Sequence, residues 1–271
     1  MADFILAFGM VSALAVVLVL VWHRVMGPSS GGLRRVARIG VALAVAIAIA
    51  GAGLYQLTKS RSFQLAGKLV YRVETEERVV ALTFDDGPTP EYTDTVLQAL
   101  EAHDAVATFY LVGAAAEEHP ELVSAIIDAG HEVGNHSYSH PRMYFVSQAV
   151  VEQEIERTDD LLRAAGYSGP ITFRPPGCKR LLTTPLYLES TDRTTVTWDL
   201  EPDSLPEIAD DADALADYVM ENVHPGSIVL MHVMYGGREP SREALPEILK
   251  RLAADGYRFV TVSELIALED E

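Results

Sequence analysis

The chain of 271 residues holds a single cysteine, Cys178, so no disulfide within it can staple the fold. About 210 residues bury a sufficient core without such staples. Cys178 is then an inert small side chain, or a thiol beside a site. Positive charge is also scarce: 21 Lys and Arg stand against 39 Asp and Glu, a formal net charge of −18. The imbalance is concentrated from Lys59 onward, where 17 bases face 38 acids. Such a surface repels nucleic acid and anionic lipid, and no nucleic-acid partner is expected. It suits a neutral or cationic substrate, or serves solubility alone. No internal repeat and no low-complexity tract is visible.

The first 58 residues, by contrast, are nearly free of acids, with Asp3 the only one. Residues 4–22 carry no charge, and neither do residues 39–58. Each run is long enough to cross a hydrocarbon core of roughly 30 Å at about 1.5 Å per residue. A pair of buried core helices is the alternative, but core helices seldom lack polar residues all round. The connector holds Arg24, Arg34, Arg35 and Arg38 and no acid. By the positive-inside rule it is cytoplasmic, which puts everything after Thr58 outside the cell membrane. Lys59, Arg61 and Lys68 place some positive charge on the outer flank as well. A second reading takes residues 34–53 as an internal signal peptide; it too exports the C-terminal portion. The expected division is a membrane anchor over 1–58, a linker over 59–77 and a catalytic domain over 78–271.

From Arg78 short apolar, β-rich runs alternate with helical stretches. Strands are expected at 79–84, 107–112, 131–135, 171–173, 194–198 and 227–231, with a last strand and short helix within 257–262. Helices are expected at 92–103, 120–129, 146–165, 210–223 and 241–255. Such alternation with buried strands predicts an α/β fold with a parallel sheet, and the number of units favours a barrel over an open sheet. The polar residues that stand out fall just past strand ends: Asp85 and Asp86, His136, Arg174, Asp199 and Asp203, and His232. In parallel α/β folds those ends share one face, and that face holds the chemistry.

The stretch Thr83-Phe84-Asp85-Asp86-Gly87-Pro88 places two carboxylates where an apolar strand breaks into a turn. On extended backbone the two point different ways, so one can bind a metal while the other faces substrate. His136-Ser137-Tyr138-Ser139-His140 supplies two imidazoles four residues apart, which one helical turn would bring to one side. One carboxylate and two histidines make a three-ligand site for a divalent cation, with positions open for water and substrate. His119 and His131 lie nearby without a partner pattern and read as ordinary loop or capping residues. Arg174-Pro175-Pro176-Gly177 is a stiff loop whose arginine could hold Asp85 ionised, and whose Gly177 N–H could serve an oxyanion. His232, ending a buried strand, could protonate a leaving amine.

These four pieces, in this order and from about Val79 to Leu265, resemble the polysaccharide deacetylases of the NodB type, carbohydrate esterase family four. The resemblance implies a distorted (β/α) barrel, here preceded by two transmembrane helices, and removal of acetyl groups from sugars. It implies Asp85 as general base, Asp86, His136 and His140 as ligands of zinc or of cobalt, nickel or manganese, and Arg174 as brace of Asp85. It further implies Gly177 N–H as oxyanion donor and His232 as general acid. Two places depart from the family pattern. Gly177-Cys178 follow the prolines where an aromatic is usual. Around 198–205 the expected groove Trp is absent, and Asp203 is the candidate for the Asp that tunes the acid histidine, within one residue of register. The metal chemistry is untouched by these changes; the substrate is put in doubt. The expected function is metal-dependent hydrolysis of acetyl groups, N-acetyl first, from a cell-envelope polysaccharide such as peptidoglycan. No obligate protein partner is evident. The rivals are an inactive metal-containing glycan-binding protein and an amidohydrolase acting on a non-sugar amide.

Overall fold

The computed structural model describes residues 32–269. Clustering of contacts separates a unit ending at Phe63 from a second beginning at Gln64. The described part of the first unit is one helix, α1 (Gly32–Thr58). Its stretch Ile39–Thr58 is apolar, 20 residues long and 0% buried, hence long and apolar enough to cross a membrane. The other expected span, 4–22, lies outside the described residues.

The second unit alternates strands and helices: β1 (Leu69–Val70), β2 (Val79–Gly87), α2 (Thr93–Glu101), β3 (Thr108–Leu111), α3 (Gly113–Glu118), α4 (Pro120–Asp128), β4 (Glu132–Asn135), α5 (Gln148–Ala164), α6 (Thr183–Ser190), β5 (Thr195–Val196), α7 (Ala212–Asn222), β6 (Ser227–Met231), α8 (Glu239–Ala254), β7 (Arg258–Phe259) and α9 (Val262–Ala267). Every ladder is parallel. The main sheet runs β4-β3-β2-β6, with β7 also on β2, and β1 pairs β5 separately. Single bridges, from Phe173 to Asn135 and Thr195 and from Leu200 to Val229, connect the two. The ladders themselves do not close a barrel.

β2 is the central strand because it is apolar on both sides. Val80, Leu82 and Phe84 enter one core cluster with the helices, and Val79 and Ala81 enter another. This is the continuous burial expected of a parallel strand covered on both faces. The helices start where the sequence supplies caps. Ser147 accepts the N–H of Val150 at the head of α5, Pro120 opens α4, and Thr261 and Glu264 form a capping box on α9.

Several expectations are corrected. β2 continues through Asp85 and Asp86 to Gly87 rather than stopping at 84. Residues 171–173 form no ladder, only the single bridges of Phe173; Pro175 and Pro176 follow and lack the N–H groups that would extend one. α3 and α6 were not anticipated. Their sequences, Gly-Ala-Ala-Ala-Glu-Glu and Thr-Thr-Pro-Leu-Tyr-Leu-Glu-Ser, are too short to display an apolar period. Within 59–77, Leu69 and Val70 pair with β5.

Candidate metal centre and active site

The two carboxylates reach the same place through a bulge, not through strand alternation. Asp85 pairs with Tyr110 and Gly87 with Leu111, leaving Asp86 as the extra residue. Asp86 has φ 72°, in the left-handed region. A β-bulge re-aims a side chain in this way. As a result Asp85 Oδ2 and Asp86 Oδ1 each lie 3.6 Å from Nε2 of His136.

His136 and His140 do not sit on a helical turn. The segment after β4 is an irregular loop in which Ser137 (φ 64°) and His140 (φ 55°) both take left-handed backbone. Pro141 follows directly, and the residue before proline is disfavoured in the helical region. The two rings stand 5.0 Å apart, and His140 Nε2 lies 3.2 Å from Asp86 Oδ1. One ligand atom each from Asp86, His136 and His140 fall within 4.8 Å of one another.

This set fits a divalent cation. The Nδ1–H of His136 donates to Arg174 O at 2.8 Å, because a carbonyl only accepts. Nε2 is therefore the lone-pair nitrogen, and it faces the two carboxylates. Burial holds the pKa of His136 below its ordinary value, against the pull of Asp85 and Asp86, so the ring stays neutral as a ligand must. Burial resists the charge of Asp86, but the hydrogen bond from His140 and the neighbouring imidazoles hold its pKa at about 2. One carboxylate and two imidazoles suit zinc and similar ions.

Arg174 is fully buried and reaches Asp85 as its sequence position suggested. Nη1 donates to Asp85 Oδ1 at 2.8 Å and to Thr83 Oγ1 at 2.8 Å, and Nη2 donates to Thr197 O at 3.1 Å. The guanidinium stacks over Tyr110 at 4.0 Å and stands 5.5 Å from the Trp198 ring. Trp198 is thus spent on packing around the arginine.

Asp203 is buried in a 3-10 turn, Pro202–Ser204, and lies against His232. The ambiguity of register is resolved geometrically. Asp199 turns away to accept from Ser227 Oγ at 2.8 Å and Ile228 N at 2.9 Å. Burial disfavours charge on His232, yet Asp203 and the carboxylates of Asp85 and Asp86 outweigh it and raise its pKa to about 9. Arg238 donates to Asp203 O at 2.6 Å, and its Nε donates to Tyr235 Oη at 3.0 Å. Gly177 lies in the 3-10 turn Pro176–Cys178, exposed, with φ 53°. Cys178 is buried, its sulfur 3.2 Å from Arg180 Nη1.

One supporting residue escaped the sequence reading. Asn135 donates through Nδ2 to Ile155 O at 2.8 Å and to Asp159 Oδ1 at 2.6 Å, while its Oδ1 accepts the N–H of Ser137 at 2.8 Å. It clamps the start of the His136–His140 loop to α5. An Asn at the end of a short strand, just before His136, was the available signal. A cleft of about 470 Å³ beside Asp159, Arg163 and Arg193 contains none of the site residues above.

Residues 72–196 match the polysaccharide deacetylase family. A peptidoglycan-N-acetylglucosamine deacetylase of Bacillus cereus is 37% identical over 194 residues, covering 71% of this chain and 70% of the relative. The crystal structure of the Bc1960 peptidoglycan N-acetylglucosamine deacetylase superposes with a TM-score of 0.68 at 32% identity, over 73% of this chain and 92% of that one. BA3943 of Bacillus anthracis, described as a carbohydrate esterase family four pseudoenzyme, gives a TM-score of 0.66 at 30% identity, over 74% and 69%.

Proposed function

The chain belongs to the polysaccharide deacetylase family, hydrolases of polysaccharide amide bonds, and on that premise we propose that it removes N-acetyl groups from a cell-envelope polysaccharide, peptidoglycan first. The observation that carries this reading is the placement of Asp85 and Asp86 at equal 3.6 Å distances from His136 Nε2. One carboxylate is then available as a ligand and its neighbour as a base.

Asp86, His136 and His140 would hold the cation, zinc first. When bound, it supplies Lewis acidity toward the acetyl carbonyl and the attacking water. Asp85 accepts the proton of that water. Arg174, buried against Asp85 and Thr83, fixes the carboxylate in direction. The Gly177 N–H donates to the oxygen on which negative charge collects. His232, with Nδ1 engaged by Asp203, presents Nε2 to the departing nitrogen and protonates it as the amide C–N bond breaks. The products are acetate and a free amine on the sugar.

Ile39–Thr58 serves in this reading as a membrane anchor that keeps the enzyme beside its polymer, with the catalytic domain on the outer side. The first apolar run, 4–22, is its companion span. The bridges of Phe173 and Leu200 act as the seams of a distorted barrel. Although a pseudoenzyme shares the fold, the presence here of the Asp85, Asp86, His136, His140 and His232 set favours turnover over mere glycan binding.

The test is acetate release by the full-length chain from N-acetylated peptidoglycan and chitin oligomers. Release should stop with a chelator and return on addition of zinc. Metal-loaded, folded protein that releases no acetate from either glycan would overturn the reading.

A further inference from the structure

From Gln64 onward, five large apolar side chains are exposed among the described residues: Leu65, Phe145, Val150, Leu182 and Leu186, Phe145 at 77%. They lie on three segments distant in sequence that the fold ties together. Met143 forms a bridge with Arg180 and donates its N–H to Lys179 O at 3.1 Å. Thr184 Oγ1 donates to Met143 O at 2.9 Å. Arg180 Nε donates to Gln64 Oε1 at 3.0 Å, next to Leu65. Met143, Val151, Tyr187 and Leu188, from the same segments, are turned inward and share one small core cluster. The five exposed side chains stand on the outward side of these elements.

The same three segments are distinctive in charge. None of the 38 acids that follow Lys59 falls within 59–73, 133–151 or 161–188. Arg142 is exposed and Lys179 half-buried among them. Acids that approach these segments come from outside them: Glu189 accepts the N–H of Gly67 at 3.4 Å, Glu269 pairs with Lys68 at 3.5 Å, Glu154 accepts from Ser139 N and Oγ at 2.7 Å, and Glu156 accepts from Tyr187 Oη at 3.1 Å. A chain that is acidic almost everywhere thus keeps one apolar face built from segments that contribute no acid of their own and that carry the exposed Arg142.

We propose that this face docks on the anionic surface of a lipid bilayer. The apolar side chains would enter the interfacial region while Arg142 meets lipid phosphates, and repulsion of the acidic remainder would set the orientation. The repulsion of anionic lipid expected from composition then applies to the other faces. Chain length agrees: only residues 59–63 separate Thr58 from Gln64, a reach of about 20 Å when extended. The inference rests on Ile39–Thr58 being a membrane anchor.

Full-length protein in nanodiscs containing phosphatidylglycerol, with and without brominated acyl chains, tests it. Tryptophan is introduced by Phe145→Trp, Leu182→Trp and, as control, at exposed Glu101 by Glu101→Trp, and the wild-type emission is subtracted. The emission added at 145 and 182 should fall at least twofold in the brominated bilayer, with no change at 101. A chain that floats with the bilayer yet shows no more quenching at 145 and 182 than at 101 overturns the docking alone. A chain that does not float overturns the anchor, and the docking with it. Should Phe145→Ser raise KM for a soluble glycan while position 145 stays unquenched, the face belongs to the sugar polymer and the lipid inference is wrong.

Discussion

Asp203 grips His232 at two points: its Oδ2 accepts the backbone N–H at 2.6 Å and its Oδ1 lies 3.1 Å from Nδ1. A third bond, from Ser241 Oγ at 3.1 Å, fixes the carboxylate itself. The imidazole cannot turn without breaking this arrangement, and its positive form is favoured despite burial.

The consequence is a pH dependence. With its pKa raised to about 9, His232 carries the proton a general acid needs throughout the neutral range and loses it on the alkaline side. A cation bound at Asp86 removes part of that attraction, so the alkaline limb of kcat/KM in metal-loaded enzyme should fall below this value. Asp203→Asn should move the limb further down, by about one pH unit or more, and lower kcat. An unmoved limb in Asp203→Asn would separate Asp203 from the acid.

Asp85 and Asp86 are neighbours with different expected roles, and single substitutions should split them. Asp85→Asn should cost roughly 10³-fold in kcat while leaving one metal per chain. Asp86→Asn should lose the metal itself. Metal content measured beside acetate release decides it; loss of metal in Asp85→Asn would show that the base has been assigned to a ligand.

The sequence carried the identities of these groups but not the means of their convergence. Asp85, Asp86, His136, Arg174 and His232 could be placed on one face because apolar strands precede them and parallel strands share an end. The bulge at Asp86 and the left-handed Ser137 and His140 could not be seen, since none of the three positions holds the glycine that advertises such backbone. A helical turn was therefore expected where a loop exists. The short strand β1 was also obscure, although its partner β5 falls within the strand expected at 194–198. Two residues of ladder leave no periodic signal, and only pairing with that distant segment creates β1.

Asn135 is the clearest test of that loop. Its amide joins α5 to the N–H of Ser137, and so holds the bend that aims His136. Asn135→Ala should weaken metal affinity about 10- to 100-fold, as loss of a supporting hydrogen bond around a metal site does. Competition with a chromogenic chelator measures this directly. Unchanged affinity would mean that the His136–Arg174 O hydrogen bond suffices to hold the ring.

Stability should carry its own acid signature, through a histidine outside the site. His131 is 6% exposed, its ring is 5.3 Å from that of Phe109, and its Nδ1 has no partner. Burial drives its pKa from 6.5 down to about 4. The folded state therefore binds this proton less readily than the unfolded chain. Stability is intact above the unfolded value and drains away as pH falls from there toward the folded one. The loss through this group should reach about 2 kcal/mol by about pH 4.5. Other groups titrate in the same range, including Glu132, whose pKa burial raises, so the informative quantity is a difference between proteins. Urea unfolding at about pH 7.5 and at about pH 4.5 should show a drop smaller by that amount in His131→Leu than in the wild type. Equal drops in the two proteins would place the acid sensitivity elsewhere.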